Sequence, residues 1–173
     1  MNMNNTKHVP QRTAFFDMDG TLVAPLFRTQ DGTMVTGFPG AEWAAFCDSA
    51  RERAYDDCAT VLPVMSYAVG LKSNGWDVRI LTISMCPGEE VAKKDWLSRK
   101  DRHLTFSGID FAKDPAGKIR IILDYAAANG LEPDDCLLVE DDLNTVLLAN
   151  VAGIRTMHLS HVVTGAYDAA SRG

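Results

Sequence analysis

The chain has 173 residues, 46% of them hydrophobic and 23% charged, and a formal net charge of −6. That length suits one well-buried domain and is too short for two full ones, with the apolar and charged fractions of an ordinary globular protein. The acidic balance argues against a general nucleic-acid-binding surface, which is normally basic, but leaves small anionic ligands open, because a metal ion and a few donors reverse the potential inside one pocket.

Cys47, Cys58, Cys86 and Cys136 form no C-x-x-C pair, so zinc and redox motifs are absent and free thiols in a cytoplasmic protein are expected. Met1 to Arg12 is polar, with no apolar core of a signal peptide, and no apolar run approaches the ~18 residues of a membrane span. Residues 1–11 read as a loose tail.

Ala14 to Val23 is an apolar run interrupted by two carboxylates, Asp17 and Asp19, with Gly20-Thr21 behind them. It reads as a buried strand that delivers charge at its C-terminal end. Period-2 alternation points both aspartates the same way if the strand continues. Paired carboxylates there are costly unless a cation lies between them or one takes up a proton. Either outcome serves phosphoryl transfer: one carboxylate attacks phosphorus, its neighbour protonates the leaving oxygen and Mg²⁺ holds the phosphoryl oxygens. A calcium loop in this register would need Gly at Leu22 and Glu at Arg28, and has neither. A plain acidic turn is the other bland reading.

Leu22–Arg28 and Thr33–Thr36 flank Gln30-Asp31-Gly32, a hairpin signal, though Pro25 confines the first strand to an edge and an irregular loop fits the stretch equally. From Pro39-Gly40 a helical stripe carries Trp43, Phe46, Cys47, Ala50, Ala54 and Cys58, packing residues on this spacing. A second helix runs from Val64 to about Ser73 and stops at Asn74-Gly75. Trp76 to Ser84 is a strand with hydroxyls at its tip: Thr82, or Ser84 one strand period later, can offer a donor to a phosphate. Pro87 to about Arg99 is helical, with acids first and Lys93, Lys94 and Arg99 later, as the helix dipole favours. His103–Phe106 reads as a short strand. Phe111 to Lys118 leads into a helix that ends at Asn129-Gly130.

Cys136–Val139 is an apolar strand that runs into Glu140-Asp141-Asp142. Three adjacent acids there repel one another unless a cation or a helix N-terminus compensates. An aspartate cap with acidic neighbours fits any strand-to-helix turn, and together with Asp17 and Asp19 the set also suits Mg²⁺. Ile154–Leu159 is a last strand, and a polar tail is expected over 163–173. His158 and His161 have no Ser or Cys nucleophile motif beside them and read as structural or surface residues.

Phe16-Asp17-Met18-Asp19-Gly20-Thr21-Leu22-Val23 resembles the first motif of the haloacid-dehalogenase-like (HAD) phosphohydrolases. Val139-Glu140-Asp141-Asp142, with the later Ala152-Gly153-Ile154, is similar to their fourth. The resemblance spans about Thr13 to Leu159 with the motifs in family order. It implies that Asp17 is the nucleophile, Asp19 the acid and base, and Thr82 the second-motif hydroxyl. A third-motif lysine pairs with the nucleophile and the phosphate; Lys118, at the helix start, is the choice and Lys113 the rival. Mg²⁺ is implied on Asp17, the Asp19 carbonyl and Asp141, with Glu140 near it. Two departures from the pattern are Glu140, where Gly is more frequent, and Thr145, where many members carry Asp.

Strands alternating with helices predict an α/β, Rossmann-like, mostly parallel sheet with helices on both faces, and ligands at the carboxyl ends of its strands. The expected layout is a core over 12–24 and 61–162 with a small flap or cap insert over 25–60. The expected activity is a Mg²⁺-dependent phosphatase acting through an aspartyl-phosphate on a small phosphorylated substrate, a nucleotide included. A phosphomutase, a dehalogenase and a non-catalytic binding protein on the same fold are the alternatives.

Overall fold

The strand that carries the two aspartates, β1 (Thr13–Phe16), is buried at all four residues. Residues 12–171 are described here from a computed structural model; the expected tail at 1–11 and residues 172–173 lie outside the described residues. Beyond β1 come β2 (Val23–Ala24), β3 (Phe27–Arg28), β4 (Met34–Val35) and α1 (Gly40–Ala50), then a 3₁₀ turn over Arg51–Tyr55, β5 (Ala59–Thr60) and α2 (Leu62–Ser73). The chain continues through β6 (Asp77–Ile83), α3 (Pro87–Lys100), β7 (Ile109–Ala112), α4 (Pro115–Asn129), β8 (Cys136–Glu140), α5 (Leu143–Val151), β9 (Arg155–His158) and α6 (Leu159–Ser171).

Five of these strands form one parallel sheet in the order β7-β6-β1-β8-β9, with β1 at its centre. Alternation along the strands splits the core. Phe15, Leu81 and Leu138 face Ile119, Ile122 and Ala149 from α4 and α5. Ala14, Phe16, Ile80 and Val139 face the opposite layer, which includes Val64 and Ala68 of α2, Trp96 of α3 and Val162 of α6. The result is the expected α/β sheet covered on both sides, and burial of two apolar faces explains why its strands read as near-continuous hydrophobic runs.

Residues between β2 and β5 rise from a two-stranded stem in which β2 pairs antiparallel with β5. The expected hairpin is present as β3 paired with β4. Pro25 interrupts the path from β2 to β3, and there the Cys58 thiol bridges the gap, accepting from Leu26 N at 3.4 Å and donating to Leu26 O at 3.2 Å. All four cysteines are free and buried.

Three expectations fail locally. The stripe from Trp43 to Cys58 is not one helix: α1 stops at Ala50, Arg51 takes φ 48° and a 3₁₀ turn follows, which redirects Tyr55 toward Asp19. No strand forms over His103–Phe106. There the Asp101 carboxylate accepts from Thr105 N at 2.9 Å and Phe106 N at 3.0 Å, taking donors a ladder would need, and the edge strand is β7 instead. The closing segment is not a tail from 163 onward, because α6 runs to Ser171.

Candidate active site

Sheet register brings the site together. Phe16 pairs with Ile80 on one side and Val139 on the other, so Asp17 and Glu140 each lie one residue beyond a paired position and Thr82 lies two beyond. Asp17 N donates to Val139 O at 2.9 Å, which carries the strand pairing one step past β1. All three side chains are buried at the carboxyl end of the sheet.

Lys118 enters from the first turn of α4, where Asp114 caps the helix by accepting from Gly117 N. Its ammonium lies 2.6 Å from Asp17 Oδ1 and 2.7 Å from Glu140 Oε2. One cation between two buried carboxylates leaves a net negative charge. Burial accordingly pushes Asp17 up to about 7; Lys118 opposes the shift, while Glu140 and Asp19 add to it. Burial also raises Glu140. Lys118 itself is raised, because its two carboxylates outweigh the burial that disfavours its charge.

A second buried cation completes the floor. Lys93 of α3 is fully buried; its Nζ lies 2.6 Å from Asp19 Oδ2 and 2.7 Å from Glu89 Oε1, and donates to Thr82 Oγ1 at 2.9 Å and Ile83 O at 2.6 Å. Tyr55 donates its hydroxyl to Asp19 Oδ1 at 2.8 Å, and burial followed by the charge of Asp19 holds that phenol well above its ordinary value. Glu89 is fixed in turn by Trp43 Nε1 at 2.8 Å and Met85 N at 2.9 Å. The Asp19 side chain is still 36% exposed, so it is anchored and open to the outside.

Asp17, Glu140 and Asp141 each offer a carboxylate oxygen within 4.8 Å of the others. Hard oxygen donors with surplus negative charge suit a divalent cation such as Mg²⁺, and these residues fit one. Asp141 accepts from Thr21 Oγ1 at 3.1 Å. Gly20 comes so close that a Cβ there would sit 2.2 Å from Asp141 Oδ2, at φ +81°. Asp142 is the helix cap, accepting from Asn144 N, Thr145 N and Thr145 Oγ1. Thr145 therefore serves the cap. The Asp19 carboxylate is not part of the acidic cluster, being taken by Tyr55 and Lys93; the expectation for Asp19 as a ligand concerned its main-chain carbonyl.

The structure separates the rival residues. Lys118 touches Asp17, whereas the Lys113 side chain is 73% exposed and lies 3.9 Å from Glu90. Thr82 faces Lys93, while Ser84 Oγ turns back to Cys86 O at 3.0 Å. Sequence reading missed Lys93, Tyr55 and Glu89. The Glu89–Lys93 spacing on α3 is that of an ordinary surface pair, and Tyr55 sits on a separate 3₁₀ turn, so no local signal marked them. His158, read as structural, donates from Nε2 to Asp141 O at 3.0 Å and steadies the acidic turn.

No family model matches the chain, and no curated protein matches it in sequence. Solved structures do match. A haloacid dehalogenase-like hydrolase from Streptococcus pneumoniae superposes with a TM-score of 0.53 at 19% identity, covering 84% of this chain and 82% of that one. A HAD family hydrolase from Deinococcus radiodurans, with bound phosphate and sodium, gives 0.54 at 14% identity over 87% and 81%. A HAD family enzyme from Bacteroides thetaiotaomicron, an aspartate-to-alanine mutant in complex with magnesium and inorganic phosphate, gives 0.54 at 11% identity over 85% and 93%. On this likeness and the central parallel sheet, the chain has the fold of the haloacid-dehalogenase-like hydrolases.

Proposed function

We propose that the protein is a Mg²⁺-dependent phosphatase of the HAD-like superfamily that hydrolyses a small phosphomonoester through an aspartyl-phosphate. The observation that carries this reading is Asp17, buried at a strand end, 2.6 Å from Lys118 and two residues from the anchored, partly exposed Asp19. An Asp17 oxygen attacks phosphorus and the bond to the leaving oxygen breaks, with Asp19 giving that oxygen its proton. Asp19 then takes a proton from water as the water attacks the phosphorylated Asp17, releasing phosphate and restoring the carboxylate. Lys118 and Thr82 hold the phosphoryl oxygens, and Lys93 and Tyr55 keep Asp19 in place. Asp17 and Asp141 with the Asp19 carbonyl, and Glu140 beside them, would hold Mg²⁺, which supplies charge neutralisation for the phosphoryl group.

In this reading residues 25–60 form a small cap over a core of 12–24 and 61–162. The free, buried thiols support a cytoplasmic setting, and among the described residues no helix is long and apolar enough to cross a membrane. Hydrolysis of an aryl phosphate with and without Mg²⁺ tests the proposal: turnover should require the metal and vanish in Asp17→Asn, because an amide cannot act as the anionic nucleophile. Turnover by a folded Asp17→Asn protein would contradict it.

A further inference from the structure

Resting on the phosphatase reading, we propose that the leaving group of the substrate carries a planar aromatic ring, seated against Phe27, Phe38 and Trp43 beside Asp19. A cavity of about 220 Å³ joins these three rings to Asp19, with Pro25 and Glu89 in its wall. Three larger hollows, of about 410, 360 and 350 Å³, contain neither Asp17 nor Asp19. Proximity to the acid that must protonate the leaving oxygen selects the smaller one.

Its chemistry favours a ring over a sugar. Phe27 is buried and meets Trp43 edge-on, with centroids 4.8 Å apart at 62°, which sets the indole's tilt. Trp43 is fixed again by its bond to Glu89, and Phe38 lies tilted 6.0 Å from it at 31°. Phe38 and Trp43 each already stack on Phe46, with centroids 4.6 and 5.7 Å apart, yet both remain partly exposed, so rigid aromatic surface is left at the edge of a charged site, where an offset-stacked or edge-on ring finds its preferred geometry. Of the polar groups in the wall, Glu89 is already engaged by Lys93, Trp43 and Met85 N, which leaves Thr36 and the exposed part of Asp19 to meet a polar substituent on the ring. Size agrees: a cavity of roughly 150 Å³ holds benzene, so the room beside Asp19 suits one ring with its substituents.

Two sources share this chemistry, a nucleoside and an arylmethyl alcohol, and matched pairs of primary phosphate esters distinguish them. Uridine 5′-monophosphate is compared with ribose 5-phosphate, and benzyl phosphate with cyclohexylmethyl phosphate, by kcat/KM under identical Mg²⁺. The expected result is a preference of about tenfold or more for the aromatic member in at least one pair, the size of stacking on an aromatic side chain; the pair that shows it names the source. Phe38→Leu should shrink that preference severalfold through KM, and Phe38→Tyr, which keeps the ring face, should retain it. Ratios within about twofold of unity in both pairs would overturn the assignment while leaving the phosphatase reading intact. A preference that Phe38→Leu leaves unaltered would also overturn it. No turnover of any of the four esters would overturn the phosphatase reading and this assignment with it.

Discussion

Asp17 and Lys118 show how one contact can demand a third partner. A single ammonium shared by Asp17 and Glu140 under-compensates two buried carboxylates, and removing a member of such a group leaves uncompensated charge. The same logic governs Lys93, buried against Asp19 and Glu89. Lys93→Met should destabilise the fold by about 3 kcal/mol, the low end for a broken buried pair because Asp19 is partly exposed, and chemical denaturation measures this. At Gly20 the added Cβ of Gly20→Ala would collide with Asp141 Oδ2 at a backbone angle alanine avoids. That variant should need severalfold more Mg²⁺ for half-maximal activity. Lys118 was legible because it opens a helix behind a strand-loop signal. Lys93 was not, because Glu89 and Lys93 look like any surface pair at i and i+4. Its burial comes from α1 and the 3₁₀ turn packing over α3, a tertiary fact that no local pattern carries.

Among the elements, the turn from β8 into α5 divides its three acids by job. Glu140 closes the strand and faces Lys118, Asp141 joins the acidic cluster, and Asp142 caps the helix. Asp142→Ala should cost about 0.5–2 kcal/mol of stability, read as a lower melting temperature with a nearly unchanged Mg²⁺ requirement. Asp141→Ala should raise that requirement most, and Glu140→Ala less; a Mg²⁺ titration of activity in the three variants ranks them. This division could be read from the residues, since an acid two or three positions ahead of a helix's first free amides is a cap by its spacing. Strand β7 could not. Asp110 stands in its middle and is paired across to Arg79 on β6 at 2.9 Å, so the charge that hid the strand is neutralised by a partner 31 residues away in sequence. Conversely, His103–Phe106 has strand-like composition but gives two backbone donors to Asp101. The break at Arg51 was equally invisible, because the apolar stripe keeps its helical spacing through it.

For the whole molecule, the consequence of burying excess carboxylate is an unusual pH dependence. Asp17 binds its proton more tightly when folded, with a value of about 7 against an ordinary 3.8, and Glu140 shifts in the same direction. Between those values the native state holds more protons than the unfolded one, so this contribution is full below about pH 3.8 and is lost as pH rises through about 7. The metal-free protein should therefore gain less from Asp17 at about pH 8 than at about pH 5.5, and Asp17→Asn should reduce the difference in melting temperature between them. Mg²⁺ should raise the melting temperature more at the higher pH, because proton and cation compete for the same oxygens.

In the proposed reaction, every later step depends on a phosphorylated Asp17. Enzyme mixed with substrate and Mg²⁺, quenched in acid within the first turnovers and digested, should yield a phosphorylated peptide containing Asp17. The adduct should accumulate in Asp19→Asn, which has lost the base for its hydrolysis, when the substrate has a good leaving group such as a phenolate. A folded Asp17→Asn protein that still turns over the ester, or a phosphoryl group found on a residue other than Asp17, would contradict the account.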